Sequence, residues 1–148
     1  MEDNKQLETK QKVLLRVITP AEVKVDQEVD MVIMRATTGE MGVLSGHEAR
    51  SAVLNDGVMR ILNDGVERRL TVFGGMAEIK DNIITVLTDA SEWPEEIDLK
   101  RAEADRDRSE LRLREKVEDA EMQSDQVRLR RSLVRIEVST YPILNVSK

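Results

Sequence analysis

A chain of 148 residues has room for one modest core, or for a small domain with an appendage, which excludes a large multi-domain enzyme. Charged residues make up 35% of it, above the roughly 25% of an ordinary globular domain, so much solvated surface accompanies each buried residue. The formal net charge of -6 argues against nonspecific nucleic-acid binding, the absence of cysteine removes disulfide and thiolate chemistry, and the single His47 leaves no histidine cluster for a metal.

Residues 1–12 are polar and aperiodic and read as a frayed terminus without a role. They lack the apolar core of a secretory signal, and no apolar run approaches a membrane span, so the chain is expected to stay in the cytoplasm. From Val13 to about Thr88 the chain breaks into strand-length segments rich in β-branched residues: VLLRVIT, EVKV, EVDMVIMRA, VMRIL, VERRLTVF, MAEIK and IITVLT. Asn63-Asp64-Gly65 and Asp81-Asn82 lie between such segments and read as hairpin turns. Gly74-Gly75 sits between strand patterns rather than ahead of a helix, so it reads as a turn or bulge and not as a phosphate loop. Closely spaced short strands without intervening helices predict an antiparallel sandwich or flattened barrel.

Near Trp93-Pro94 the pattern changes, and a Glu, Arg, Ala and Leu-rich stretch begins at Asp98, which can cap a helix. Glu95 and Glu96 lie where a helix dipole favours negative charge. The spacing predicts a first helix to about Val117 and a second one capped by Ser124 or Asp125 and limited by Pro142. The fold class is therefore α+β: a β-sandwich over residues 13–96, then an antiparallel two-helix hairpin over residues 97–148.

The charges divide between these parts, with 18 acids against 11 bases in residues 1–97, and 11 acids against 12 bases in residues 98–148. Between residues 98 and 135 stand nine arginines and two lysines. Steps of three and four align Asp98, Arg101, Asp105, Arg108 and Arg112 on one face of the first helix. Leu99, Ala102, Ser109, Leu113 and Val117 lie one position over. On the second helix Arg128, Arg131 and Arg135 run beside Leu129, Leu133 and Ile136, so packing the leucines together brings arginines toward arginines. One reading is a solvated surface laced with pairs such as Arg101 with Asp105 and Glu110 with Arg114, each worth about 0.2–0.5 kcal/mol. The other is a polyanion site, since arginine suits bidentate phosphate or carboxylate recognition. No G-x-x-x-x-G-K-[ST] loop accompanies these arginines, which favours binding over turnover.

Thr38-Gly39-Glu40-Met41-Gly42-Val43-Leu44-Ser45-Gly46-His47, Gly74-Gly75-Met76, Val86-Leu87-Thr88-Asp89 and Ile97-Asp98-x-x-Arg101-Ala102 follow one another in an order and spacing that resembles the epsilon subunit of the F-type rotary ATP synthase. The resemblance covers residues 13 to about 138. It implies a sandwich of about ten strands and a helical hairpin, a non-catalytic place on the central stalk, and binding to the gamma subunit and the ring of c subunits. It also implies a peripheral position on the cytoplasmic face of a bacterial membrane. Glu40 and His47 become the implied ring contacts. The family pattern has Pro before Gly46-His47, and Ser45 here makes that loop less rigid. By the same resemblance an ATP molecule is expected at Glu92, Ile97, Asp98, Arg101, Ala102, Arg108, Arg131 and Arg135, as a regulatory ligand rather than a required cofactor. Trp93-Pro94 departs from the more polar pattern of the better ATP-binding members, which lowers the expected affinity. Arg128, Arg130, Arg131 and Arg135 are expected to meet the alpha and beta subunits of the catalytic head when the arm extends and brakes hydrolysis. A purely structural coupling module is the alternative.

Overall fold

The computed structural model describes residues 11–115, 118–141 and 144–145. Nine strands come first: β1 Val13–Ile18, β2 Val23–Val29, β3 Met31–Ala36, β4 Gly39–Leu44, β5 Arg50–Leu54, β6 Gly57–Asn63, β7 Val66–Val72, β8 Gly75–Lys80 and β9 Ile83–Leu87. They are hydrogen-bonded in the order β7-β6-β3-β5-β8-β9-β1-β2, with β4 on β3, in a curled sandwich. Alternation builds it. Along β1, Val13, Leu15 and Val17 point into the core while Arg16 faces out, as the two-residue period of a strand requires. Burying Leu15, Met34, Met59, Leu70 and Ile79 at 2% exposure or less contributes roughly 1.5–3 kcal/mol for each side chain.

Both hairpin turns form where the sequence places them. Asp64 and Gly65 have φ of 50° and 77°, and Asp81 and Asn82 have φ of 52° and 63°, the left-handed pairs that match the twist of two-residue hairpins. The Gly74-Gly75 turn is glycine for a steric reason: a Cβ on Gly75 would stand 1.9 Å from the carbonyl oxygen of Leu87.

Several sequence expectations are corrected. The segment EVDMVIMRA is two strands that part at Asp30. The Gly-rich stretch from Gly39 is itself a strand, β4, and Arg50–Leu54 adds another. One pair, β1 with β9, runs parallel inside an otherwise antiparallel sheet. A two-residue strand, β10 Leu144–Asn145, pairs with β7, so part of the stretch assigned to the hairpin belongs to the sheet.

Two helices lie between β9 and β10 among the described residues: α1 Leu99–Arg114 and α2 Asp119–Thr140. Asp98 is the N-cap of α1, its Oδ1 accepting the Arg101 backbone N–H at 3.1 Å. Glu95 and Glu96 lie in a 3-10 turn, Pro94–Glu96, ahead of that cap rather than in the first turn of α1. The end expected at Val117 falls outside the described residues, and α1 stops at Arg114. Neither Ser124 nor Asp125 caps α2, which starts at Asp119 with Glu118 as N-cap. Tyr141 ends α2 in an extended conformation, the one favoured for a residue before a proline; Pro142 itself lies outside the described residues.

Candidate functional site

Glu92 is positioned by backbone. Phe73 N–H donates to the Ala90 carbonyl at 3.1 Å, Thr71 N–H to the Glu92 carbonyl at 2.9 Å, and Glu92 N–H to Thr71 Oγ1 at 2.9 Å. The buried Ser91 hydroxyl donates to the Thr71 carbonyl at 2.6 Å. The chain leaving β9 is thereby fastened along the end of β7. It then turns at Trp93-Pro94, where the Trp93 N–H donates to Glu96 and Lys24 Nζ reaches the Glu96 carboxylate at 2.5 Å. The Lys24 hydrogen bond holds the Glu96 carboxyl below its ordinary value. This braced corner delivers Ile97 and Asp98 to the start of α1.

The two helices meet through small residues, not leucines. Ala102 and Ser109 of α1 and Ser132 of α2 are buried at the seam, whereas Leu133 is 46% exposed and Leu99, Leu113 and Leu129 are only partly covered. The expected convergence of arginines still occurs, because small side chains let the backbones approach closely. Between the helices a cavity of about 470 Å³ is lined by Arg108 and Arg112 from α1 and Arg128, Arg131 and Arg135 from α2, against two carboxylates, Asp105 and Asp125. A second cavity of about 250 Å³ shares Asp105 and Arg135 with it and is lined otherwise by Glu92, Glu96, Ile97, Asp98, Arg101 and Ala102. All eight residues expected at a nucleotide site therefore line two adjoining cavities, six of them the smaller one. The larger cavity is cationic, five arginines to two acids; the smaller is acidic, with two arginines to four acids. Within α1 the expected pairs Arg101 with Asp105 and Glu110 with Arg114 are not among the ion pairs of the described residues, and Asp105 meets Arg108 at 4.0 Å instead.

Asp125 was legible only as a cap. It is 1% exposed, with Arg112 Nε at 3.1 Å and Arg128 Nη1 at 3.6 Å. The signal that could have found it is its spacing three residues before Arg128, an ion-pair step on a helix.

The arm is folded back on the β domain. Asp56, in the β5–β6 turn and 6% exposed in its side chain, accepts from Arg130 Nε at 3.1 Å and Arg131 Nε at 3.4 Å. Arg135 Nε donates to Glu92 Oε1 at 2.7 Å. The fully buried Phe73 lies beneath this contact, its ring 5.2 Å from the Arg131 guanidinium and 4.7 Å from that of Arg135. Val134 and Val138, both buried, add apolar packing from α2, which rests on β6 and β7.

Glu40 and His47 are not brought together. Glu40 faces Arg35 at the start of β4, whereas His47 follows the far end of that strand, with Nδ1 2.7 Å from the Glu48 carbonyl oxygen. The Gly46 N–H donates to Asn82 Oδ1 at 3.1 Å, which ties the Ser45-Gly46 loop to the β8–β9 turn. A surface the sequence did not reveal is an apolar ladder. Val53, Met76, Leu87, Ile18 and Val23 are direct neighbours in register across β5, β8, β9, β1 and β2. All but Ile18 are more than half exposed.

Comparison with known proteins accounts for both parts. Residues 12–94 match the ATP synthase delta/epsilon chain β-sandwich domain, and residues 95–140 match the long α-helix domain of the same chains. An ATP synthase epsilon chain of Caldicellulosiruptor saccharolyticus is 36% identical over 84% of this chain and 90% of its own. That of Pelotomaculum thermopropionicum is 42% identical over 69% of this chain and 76% of its own, and that of Bacillus velezensis is 33% identical over 86% and 96%. Among solved structures, a chain of the Euglena gracilis mitochondrial ATP synthase, described as OSCP/F1/c-ring, shares the fold with a TM-score of 0.77 at 21% identity, over 88% of this chain and 82% of that one. A chain of the Tetrahymena thermophila central stalk and c-ring does so with a TM-score of 0.58 at 17% identity, over 88% and 98%. No described helix is long and apolar enough to cross a membrane. The chain belongs to the epsilon-subunit family of the F-type ATP synthase, a non-catalytic subunit of that complex.

Proposed function

We propose that this subunit restrains ATP hydrolysis with its helical arm and that ATP, bound between the folded helices, helps keep the arm off the catalytic head. One observation carries the reading: the four arginines expected to brake the head are all held by internal acids in the folded arm. Arg130 and Arg131 are on Asp56, Arg135 is on Glu92 and Arg128 faces Asp125. Folding the arm and blocking the alpha and beta subunits therefore use the same cations and exclude each other.

The cavities support a nucleotide in a definite orientation. The five-arginine cavity suits the triphosphate, as guanidinium forks pair with phosphate oxygens. The acidic cavity suits the adenine end, with Asp98 and Glu92 as acceptors for the exocyclic amine beside the Ile97 and Ala102 backbone. Ligand at ten times its dissociation constant adds about 1.4 kcal/mol to the closed state, so the free arm must lie near balance for ATP to switch it.

On the β domain, the apolar ladder from Val53 to Val23 is the proposed seat of the gamma subunit, since a contiguous exposed apolar row is what a docking face looks like. Glu40 and His47 remain the proposed ring contacts, at opposite ends of β4, on the cytoplasmic face of the membrane. A second reading, a purely structural coupling module, is favoured by the same ion pairs, because they tie the arm to the β domain through the chain's own residues. Deleting residues 98–148 and assaying the reconstituted complex at low ATP separates the two. Faster hydrolysis supports the brake, and an unchanged rate leaves only the coupling role.

A further inference from the structure

Removing one partner of a buried charge pair is costly, and Asp125 is such a partner: it is 1% exposed, with Arg112 Nε 3.1 Å from Oδ2 and Arg128 Nη1 3.6 Å from Oδ1. It projects into the cavity where Arg108, Arg131 and Arg135 also converge, with Asp105 as the other acid. Five like charges facing one cavity repel unless an anion stands among them. Arg131 and Arg135 are met by Asp56 and Glu92, and for Arg112 and Arg128 it is Asp125 that supplies the anion, from within α2. A phosphate group entering the cavity would take the guanidinium faces of Arg112 and Arg128 that the carboxylate now occupies, so the two are alternatives for one place.

The geometry points to Asp125 as a tethered stand-in for a nucleotide phosphate. It holds the hairpin folded when no nucleotide is bound, and an incoming polyphosphate must displace it from Arg112 and Arg128. This rests on the polyphosphate reading of the cavity and adds its regulation. The arm of this chain closes partly by its own charge, and ATP acts on an equilibrium that lies near balance and that Asp125 tilts toward the folded state.

The test uses the full chain, which has no cysteine of its own. Nitroxide labels attached through Glu28→Cys and Gln123→Cys, both at exposed positions, report the distance from β2 to the far end of the arm. Without ligand the parent is expected to be mostly closed, with millimolar tripolyphosphate raising its closed-to-open ratio by less than it raises that of a variant lacking the charge. Asp125→Asn, nearly the same shape without the charge, is expected to lower the closed-to-open ratio by roughly tenfold and to recover it with tripolyphosphate. Asp125→Ser serves as a second variant, and circular dichroism checks that both retain their helices. A variant as closed as the parent without ligand overturns the proposal, as does an open variant that tripolyphosphate fails to close. If tripolyphosphate closes the variant but ATP does so no better, Asp125 keeps this role, and it is the adenine recognition proposed above that fails.

Discussion

Arg135 Nε stands 2.7 Å from Oε1 of Glu92, an ion pair between residues 43 positions apart that ties α2 to the end of β7. Both side chains are about one-third exposed, so the charge pair alone is worth about 0.5–1 kcal/mol after screening. Glu92→Gln and Arg135→Gln are expected to speed amide exchange in α2 while leaving β1 to β9 unchanged. A double-mutant cycle checks the pairing: a coupling near zero would show that the two residues hold the arm independently.

Asp56 makes a sharper target because one carboxylate meets two arginines. Asp56→Asn removes the shared charge from Arg130 and Arg131 at a side chain that is 6% exposed. Trypsin cleavage after those arginines is expected to accelerate several-fold, with the unfolding midpoint of the β domain unchanged. Equal cleavage of parent and variant would leave the arm held by the Arg135–Glu92 pair and by Phe73, Val134 and Val138, without a contribution from Asp56.

How far the sequence announces this arrangement differs by element. Asp64-Gly65 and Asp81-Asn82 were readable because left-handed residues have a strong local preference. The start of α1 was readable because Asp98 caps within three residues of itself. The break at Asp30 was not, because no Gly or Pro marks it and the corner is held from afar: the Asp30 N–H donates to the Leu62 carbonyl, and its carboxylate accepts the Asp64 N–H. The parallel pairing of β1 with β9 joins strands about 70 residues apart and has no local sign. Among the site residues, all eight nucleotide candidates line adjoining cavities, but Asp56 and Asp125 escaped notice. A turn acid and a cap acid look the same in sequence whether they face water or arginines.

Glu67 gives the β domain a definite pH response. Burial pushes its pKa up, yet hydrogen bonds from Arg60 and Arg69 outweigh this and hold it below the ordinary value of 4.5. A depressed carboxyl contributes stability fully above its unfolded value and loses it as pH falls through the folded value. Urea midpoints are therefore expected to hold down to about pH 4.5 and to decline below it. Glu67→Gln should lower stability by about 1.5–3 kcal/mol at pH 7 and flatten the acid decline. A variant with the parent's full pH dependence would assign that decline to another group.

The apolar ladder separates folding from assembly. Met76 is 55% exposed, and Met76→Glu is expected to change the stability of the isolated subunit by no more than about 0.5 kcal/mol. In the centre of a docking face the same charge should weaken binding to the gamma subunit by at least about tenfold. Unaltered affinity in a pull-down series would move the gamma contact elsewhere on the sandwich.

The most direct measurement of the central claim is a calorimetric isotherm of the full chain with ATP. Saturable one-site binding in the micromolar to millimolar range, lost in Arg135→Gln and weakened in Arg101→Gln, is the result expected of a nucleotide held between the helices. A flat isotherm up to several millimolar ATP would contradict it and make the arm's position independent of nucleotide.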